Sequence, residues 1–236
     1  MQPILIVTHV EHEGPGHFAQ VLERNRIPYH LVAIDHNDTL PERPDDFSGL
    51  VFMGGPMSVN DSLPWIEQEL SLIRNAVAAS IPVLGHCLGG QLISKALGGT
   101  VTRNRVTEIG WFDVEQASQP AAAAAAWFSG LPARFPVFHW HGETFSLPIG
   151  ATSLLQNVNC EQQAFAVGNT LALQCHIEMT EAMVRQWVAS SPEAFTRPSE
   201  AVQSPAEITR DLTARVANLQ RVADVVYARW LSTLRK

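Results

Sequence analysis

Apolar and polar positions alternate along the first hundred residues in two different rhythms. Ile4 to Val7 is a continuous apolar run of the kind buried on both faces of a sheet. From about Gly16 to Arg26, Phe18, Val21 and Leu22 recur at helical spacing. Tyr29 to Ile34 reads as a second strand, followed by a polar, proline-rich loop from Asp35 to Ser48. Leu50 to Met53 is a third strand that runs into GGPMSVN. Pro64 then opens a helix, in the first-turn place that suits its missing N–H, with Ile66, Leu70, Ile73 and Val77 inward. Ile81 to Leu84 gives a fourth strand, and Leu88, Leu92 and Ala96 share one face of the helix after it.

Repeated strand–helix units predict a parallel sheet with right-handed crossovers and helices on both faces. Ligands of such sheets lie beyond the carboxyl ends of the strands, where Gly54, Gly55 and Cys87 all fall. After Gly99 the pattern changes to short strand-like pieces at Val106–Val114, Val137–Trp140, Ala164–Val167 and Leu171–His176. The segment SQPAAAAAAWFSGLP lies between them; its alanines favour helix, and Pro120 and Gly130 mark it as a surface stretch without catalytic duty. From Pro205 onward Ile208, Leu212, Val216, Leu219, Ala223, Val226, Trp230 and Leu234 form one stripe, an amphipathic helix expected to pack on its own chain. The expected fold is therefore α/β: a single doubly wound domain with a mostly parallel central sheet, extra short antiparallel strands and a C-terminal helical tail. No internal repeat or linker marks a second core, so the division is residues 1–190 for the body and 191–236 for the helical extension.

The whole-chain balance narrows the function. A net charge of -7 argues against a phosphate-tracking nucleic-acid binder. No apolar stretch is long enough to span a bilayer, and MQPILIVTHV reads as a strand rather than a signal peptide. Three cysteines, Cys87, Cys160 and Cys175, have no framework spacing, which predicts reduced thiols and a cytoplasmic protein.

Cys87 sits between Gly85 and Gly89 at a strand-to-helix junction, the pattern of a nucleophile elbow. The helix N-terminus there favours an anion and so a thiolate. Such a thiol needs a base, and histidine suits that task near neutral pH. Most of the nine histidines are expected at the surface or in loops. His176 differs: it ends a strand, and Glu178 two places on points to the same face, where it can fix the imidazole tautomer. His139 and His141 also share a strand face, as metal ligands can, but no third ligand stands at a telling spacing. No metal site and no cofactor are expected.

The motifs FMGGPMSV, GHCLGGQ, HWHGETFSLP and LQCHIE, in that order, resemble the class I glutamine amidotransferases. They are closest to the stand-alone members similar to the glutaminase domain of GMP synthase, and the resemblance runs from about residue 1 to residue 190. It implies a catalytic triad of Cys87, His176 and Glu178, and an oxyanion hole from the backbone N–H groups of Gly55 and Leu88. It also implies that Gln91 helps to hold glutamine and that His141 and Gly142 border the substrate pocket. Two positions depart from the family pattern: Ile177 replaces a proline, and Glu143 replaces the aspartate after His-Gly. No ATP-using synthetase follows residue 190. The expected activity is glutamine hydrolysis through a γ-glutamyl thioester, on glutamine or a γ-glutamyl amide, with a separate synthetase subunit as a candidate partner. A γ-glutamyl hydrolase or peptidase, and a non-catalytic binding protein of the same fold, are the competing readings.

Overall fold

The computed structural model describes residues 2–118, 126–197 and 199–235. Its chain alternates β1 (Ile4–Thr8), α1 (Gly16–Arg24), β2 (Tyr29–Ala33), β3 (Gly49–Phe52), α2 (Pro64–Ala78), β4 (Val83–His86) and α3 (Leu88–Ala96). It continues through β5 (Val101–Gln116), β6 (Arg134–Phe145), β7 (Thr152–Gln156), β8 (Ala164–Val167) and β9 (Thr170–Leu173). Three helices follow, α4 (Glu181–Ser190), α5 (Pro205–Thr209) and α6 (Leu212–Leu231). Most of the alanine run lies outside the described residues.

All nine strands join one sheet in the order β2-β1-β3-β4-β9-β8-β7-β5-β6. The pairs from β2 to β9 are parallel, as the βαβ rhythm predicts, and those from β9 to β6 are antiparallel. The side-chain period of two sends alternate residues of β1 to opposite cores. Ile4 and Ile6 meet α1, α4 and α6, whereas Leu5 and Val7 meet α2 and α3. Strand β2 is the edge of the parallel half, which leaves Tyr29 and Leu31 partly in solvent.

The antiparallel part departs from the short pieces read in the sequence. β5 and β6 form a long ribbon, bulged between Arg103 and Glu108. Beyond β9 the chain turns back to this ribbon: His176 N donates to Phe138 O at 2.8 Å, so the His139-Trp140-His141 stretch is brought beside His176.

All eight apolar residues of the tail stripe are buried. The single helix expected there is split, because Arg210 is extended and Asp211 adopts a left-handed conformation (φ 52°). Ser204 opens α5 with a capping box closed by Glu207. α6 crosses α1, where Phe18 meets Tyr227 edge-on at 4.8 Å and Trp230 at 5.9 Å. No described helix is long and apolar enough to cross a membrane.

Trp230 is fully buried and its indole N–H has no partner. Trp230→Ala should therefore cost about 3–5 kcal/mol. Trp230→Phe should cost much less, since it also removes an orphaned donor. Urea denaturation of the two variants checks both.

Candidate active site

The site is built at the carboxyl ends of β1, β3, β4 and β9. Cys87 joins β4 to α3 with φ 49° and ψ -105°, a conformation that L-residues rarely adopt and that costs about 1–3 kcal/mol. Two main-chain bonds hold it there: Cys87 N donates to Leu173 O at 2.8 Å, and Gly89 N donates to Met53 O at 3.1 Å. A side chain at Gly89 would run into the Phe52 carbonyl, and one at Gly85 into the Gly89 backbone, so the turn requires both glycines. The thiol is 7% exposed, with Gln174 Nε2 at 3.7 Å and the Trp140 carbonyl at 3.9 Å.

His176 is buried beside it. Its Nδ1 is 2.6 Å from Glu178 Oε1, while Nε2 has no hydrogen-bond partner. Burial alone would lower the imidazole pKa; Glu178 and Cys87 outweigh burial and raise it well above its ordinary value. Glu178 is buried too, and His176 and His86 overcome the upward push of burial to hold its carboxyl below the usual range. The second carboxylate oxygen lies 3.8 Å from His86 Nε2, which is 3.0 Å from the Tyr227 hydroxyl of α6. Burial lowers the His86 pKa to about 4, against the upward pull of Glu178. Trp187 of α4 stands edge-on to His176 at 4.9 Å, and its N–H donates to His12 O at 2.9 Å.

A cleft of about 1140 Å³ opens over the thiol, and Gly55, Cys87, Gln91, His141 and Gly142 all line it. His176 and Glu178 lie a layer deeper. The backbone N–H groups of Gly55 and Leu88 donate to no described backbone or side-chain acceptor. Gln91 is buried and turned toward Gln174 Oε1 at 3.3 Å. Glu143, the residue that departs from the family pattern, accepts from Ser58 Oγ at 3.1 Å on the cleft wall.

The expectation that most histidines lie at the surface is corrected: six of the nine are buried, namely His9, His17, His86, His139, His141 and His176. Each meets polar partners that are distant in the chain or hidden by its turns. His139 and His141 do have a third companion, Glu108 of β5, whose Oε2 is 3.4 Å from His139 Nδ1 and 3.2 Å from His141 Nε2. These three groups are close enough to hold a metal ion. Glu108 is, however, already supplied with donors by Asn157 at 2.6 Å, Gln163 at 2.8 Å and Asn159 at 3.1 Å. Burial would raise its carboxyl, but His141, His139 and Asn159 hold it at about 2. The cluster therefore reads as a buried hydrogen-bond hub that ties the ribbon to the 157–163 loop.

Glu13 was not singled out in the sequence, although it precedes a Gly-Pro-Gly turn just after β1. Its carboxylate reaches the spot over Gly54 that His176 Cε1 also borders, and it lines the cleft. Burial pushes its pKa up to about 7, with His176 opposing and Glu178 adding to the rise.

A glutamine amidotransferase from Methylobacillus flagellatus has the same architecture, with a TM-score of 0.96 and 44% identity over 100% of this chain and 96% of that one. A glutamine amidotransferase from Thermotoga maritima superposes with a TM-score of 0.86 at 27% identity, over 98% of each chain. The glutamine amidotransferase-like protein YfeJ of Salmonella typhimurium is 30% identical over 193 residues, 79% of this chain and 80% of its own length. GMP synthase of Thermomicrobium roseum is 35% identical over 132 residues, which make up 56% of this chain but only 23% of the synthase. The model of the family described as glutamine amidotransferase class-I matches residues 17–186. With the match spanning most of the sheet and the Cys87 elbow, the chain belongs to the class I glutamine amidotransferases.

Proposed function

We propose that this chain hydrolyses the γ-amide of glutamine, or of a γ-glutamyl compound, through a thioester on Cys87. The observation that carries the reading is the buried imidazole of His176, fixed at Nδ1 by Glu178 and open at Nε2, beside a thiol on a strained elbow. Nε2 holds the proton given up by the thiol when Sγ attacks the γ-carbonyl carbon, in keeping with the raised pKa of the ring. The carbonyl oxygen becomes an oxyanion between the N–H groups of Gly55 and Leu88, an effect worth about 2.7–4 kcal/mol per donor in comparable sites. When the C–N bond breaks, His176 returns its proton to the departing nitrogen, which leaves as ammonia or an amine. Water, deprotonated by the same nitrogen, then adds to the thioester, and the Cys87 thiolate leaves. The net reaction is amide plus water to carboxylic acid plus amine.

Glutamine is the first substrate of this reading, with a separate synthetase subunit as the candidate acceptor of its ammonia. A specific observation favours larger γ-glutamyl amides as the second. The cleft exceeds the size that glutamine needs, and Arg103, Arg105 and Arg197 line it without a carboxylate partner among the described residues. Anionic groups at the far end of a γ-glutamyl dipeptide suit those arginines. A binding protein without chemistry is disfavoured, because it would have no use for the strain stored at Cys87.

The purified chain should release glutamate from glutamine or γ-glutamyl dipeptides without ATP or a second protein. Cys87→Ala should abolish release, and Glu178→Gln should leave a measurable remnant, since it removes charge and orientation but not the base. Release seen only after a synthetase subunit is added would replace the self-sufficient reading with a separate-subunit amidotransferase.

Brief iodoacetamide treatment followed by peptide mapping should find Cys87 modified first. Burial raises the thiol pKa of both Cys160 and Cys175, Cys175 the more strongly. Faster labelling at either would contradict the assignment of the nucleophile.

Glu13 gives a pH signature. Its pKa in the folded chain, about 7, lies above its ordinary 4.5. Its contribution to stability is therefore full below 4.5 and lost as the pH rises through 7. Glu13→Gln should raise the urea midpoint relative to the parent at about pH 8 and not at about pH 4.

A further inference from the structure

His9 and Glu69 form a second buried His–carboxylate pair, which the steps above do not use. Both side chains are fully buried. Glu69 lies on α2 among Ile66, Leu70 and Ile73, a place where the helix otherwise presents apolar side chains to the core. His9 Nε2 is 3.1 Å from Glu69 Oε2, and His9 Nδ1 is 2.9 Å from the Gly54 carbonyl oxygen. The Gly54 carbonyl can only accept, so Nδ1 carries the proton of that bond, while Glu69 can accept from Nε2–H as a carboxylate or donate to a bare Nε2 as an acid. In either form the ring is fixed at Nε2 and holds the Gly54 carbonyl through Nδ1–H.

The Gly54 carbonyl and the Gly55 N–H belong to one planar trans peptide unit and point in opposite directions. A donor that fixes the carbonyl therefore also fixes the direction of the N–H. Two glycines in succession make this peptide easy to rotate, since neither restricts its backbone with a side chain. Gly55 N–H donates to no described acceptor, so among the described residues the bond from His9 to the carbonyl side is the hydrogen bond that orients the unit. His9 in turn is held by Glu69 on one side and by Trp65, whose ring centroid is 5.0 Å away.

We propose that His9, braced by Glu69, is a positioning residue for the oxyanion hole: it grips the Gly54 carbonyl so that Gly55 N–H faces the carbonyl oxygen of the substrate. The inference rests on the γ-glutamyl hydrolase reading for its chemistry, but the peptide geometry can be read separately. His9 does not line the cleft, and its effect belongs to the transition state, where the oxyanion develops. Removing the grip should slow acylation while leaving substrate binding nearly unchanged.

The test uses His9→Phe, which keeps an aromatic ring but no donor, and His9→Asn, whose amide nitrogen can occupy the place of Nδ1. His9→Phe should lower kcat at least 10-fold, toward the 10²–10³ that loss of an oxyanion donor costs, with KM within about twofold. His9→Asn should recover most of that loss. Affinity for glutamate, a ground-state ligand, should be unchanged in His9→Phe. Affinity for glutamate γ-semialdehyde, which adds Cys87 to form a tetrahedral thiohemiacetal, should fall in step with kcat/KM. Equal losses in KM and kcat for both variants, or equal losses for both ligands, would mark His9 as a packing residue and overturn the proposal.

Crystal structures of the two variants provide the second readout, one that needs no turnover and reports folding directly. The Gly54–Gly55 peptide should be rotated in His9→Phe and unrotated in His9→Asn. An unrotated peptide in a folded His9→Phe protein would overturn the proposal. A parent chain silent toward every γ-glutamyl amide would overturn the hydrolase reading instead, and the peptide orientation would then decide the role of His9 alone.

Discussion

The site depends on one constraint: the backbone of Cys87 is held where an L-residue resists being. The holding force is distributed. β4 is clamped between β3 and β9, and the start of α3 is bonded to the end of β3 through Gly89 and Met53. Cys87 is bonded through its backbone N–H to Leu173 at the end of β9, the strand that leads to His176. Cys87, the end of β3 and the approach to His176 thus share a single hydrogen-bonded frame. Relaxing the turn would move all three apart, and the two cores that cover the sheet prevent it.

Around that frame, buried charge is handled in pairs. His176 with Glu178, His9 with Glu69, and His141 with Glu108 each place an imidazole against a carboxylate away from solvent. An unpaired charge at these depths would carry a large desolvation cost, whereas a hydrogen-bonded pair at fixed distance offsets it and resists movement. The three pairs stand respectively beside Cys87, against the Gly54 carbonyl and in the cleft wall. Electrostatic pairing thus adds to packing in holding the residues around Cys87 in place.

Much of this was legible in the chain. Period-two and helical spacing located β1 to β4, α1 to α3 and the buried stripe of the tail, and the glycines around Cys87 announced the elbow. The motif order carried the family. What stayed hidden has physical causes. Glu69 meets His9 across 60 residues and Tyr227 meets His86 across 141, so neither pairing leaves a local pattern. Histidine is read as polar, and only its partners show that it is buried. β7 and α4 are short or weakly patterned elements, stabilised by neighbours rather than by their own spacing. The break at Asp211 is invisible to periodicity because the apolar stripe continues in phase on both sides of it.

Trp187 stands edge-on to His176 at 4.9 Å. An indole in van der Waals contact with an imidazole is a reporter as well as a wall, because an imidazolium quenches tryptophan emission more strongly than the neutral ring does. Trp187, one of six tryptophans, sits where a change of charge on His176 would alter its brightness.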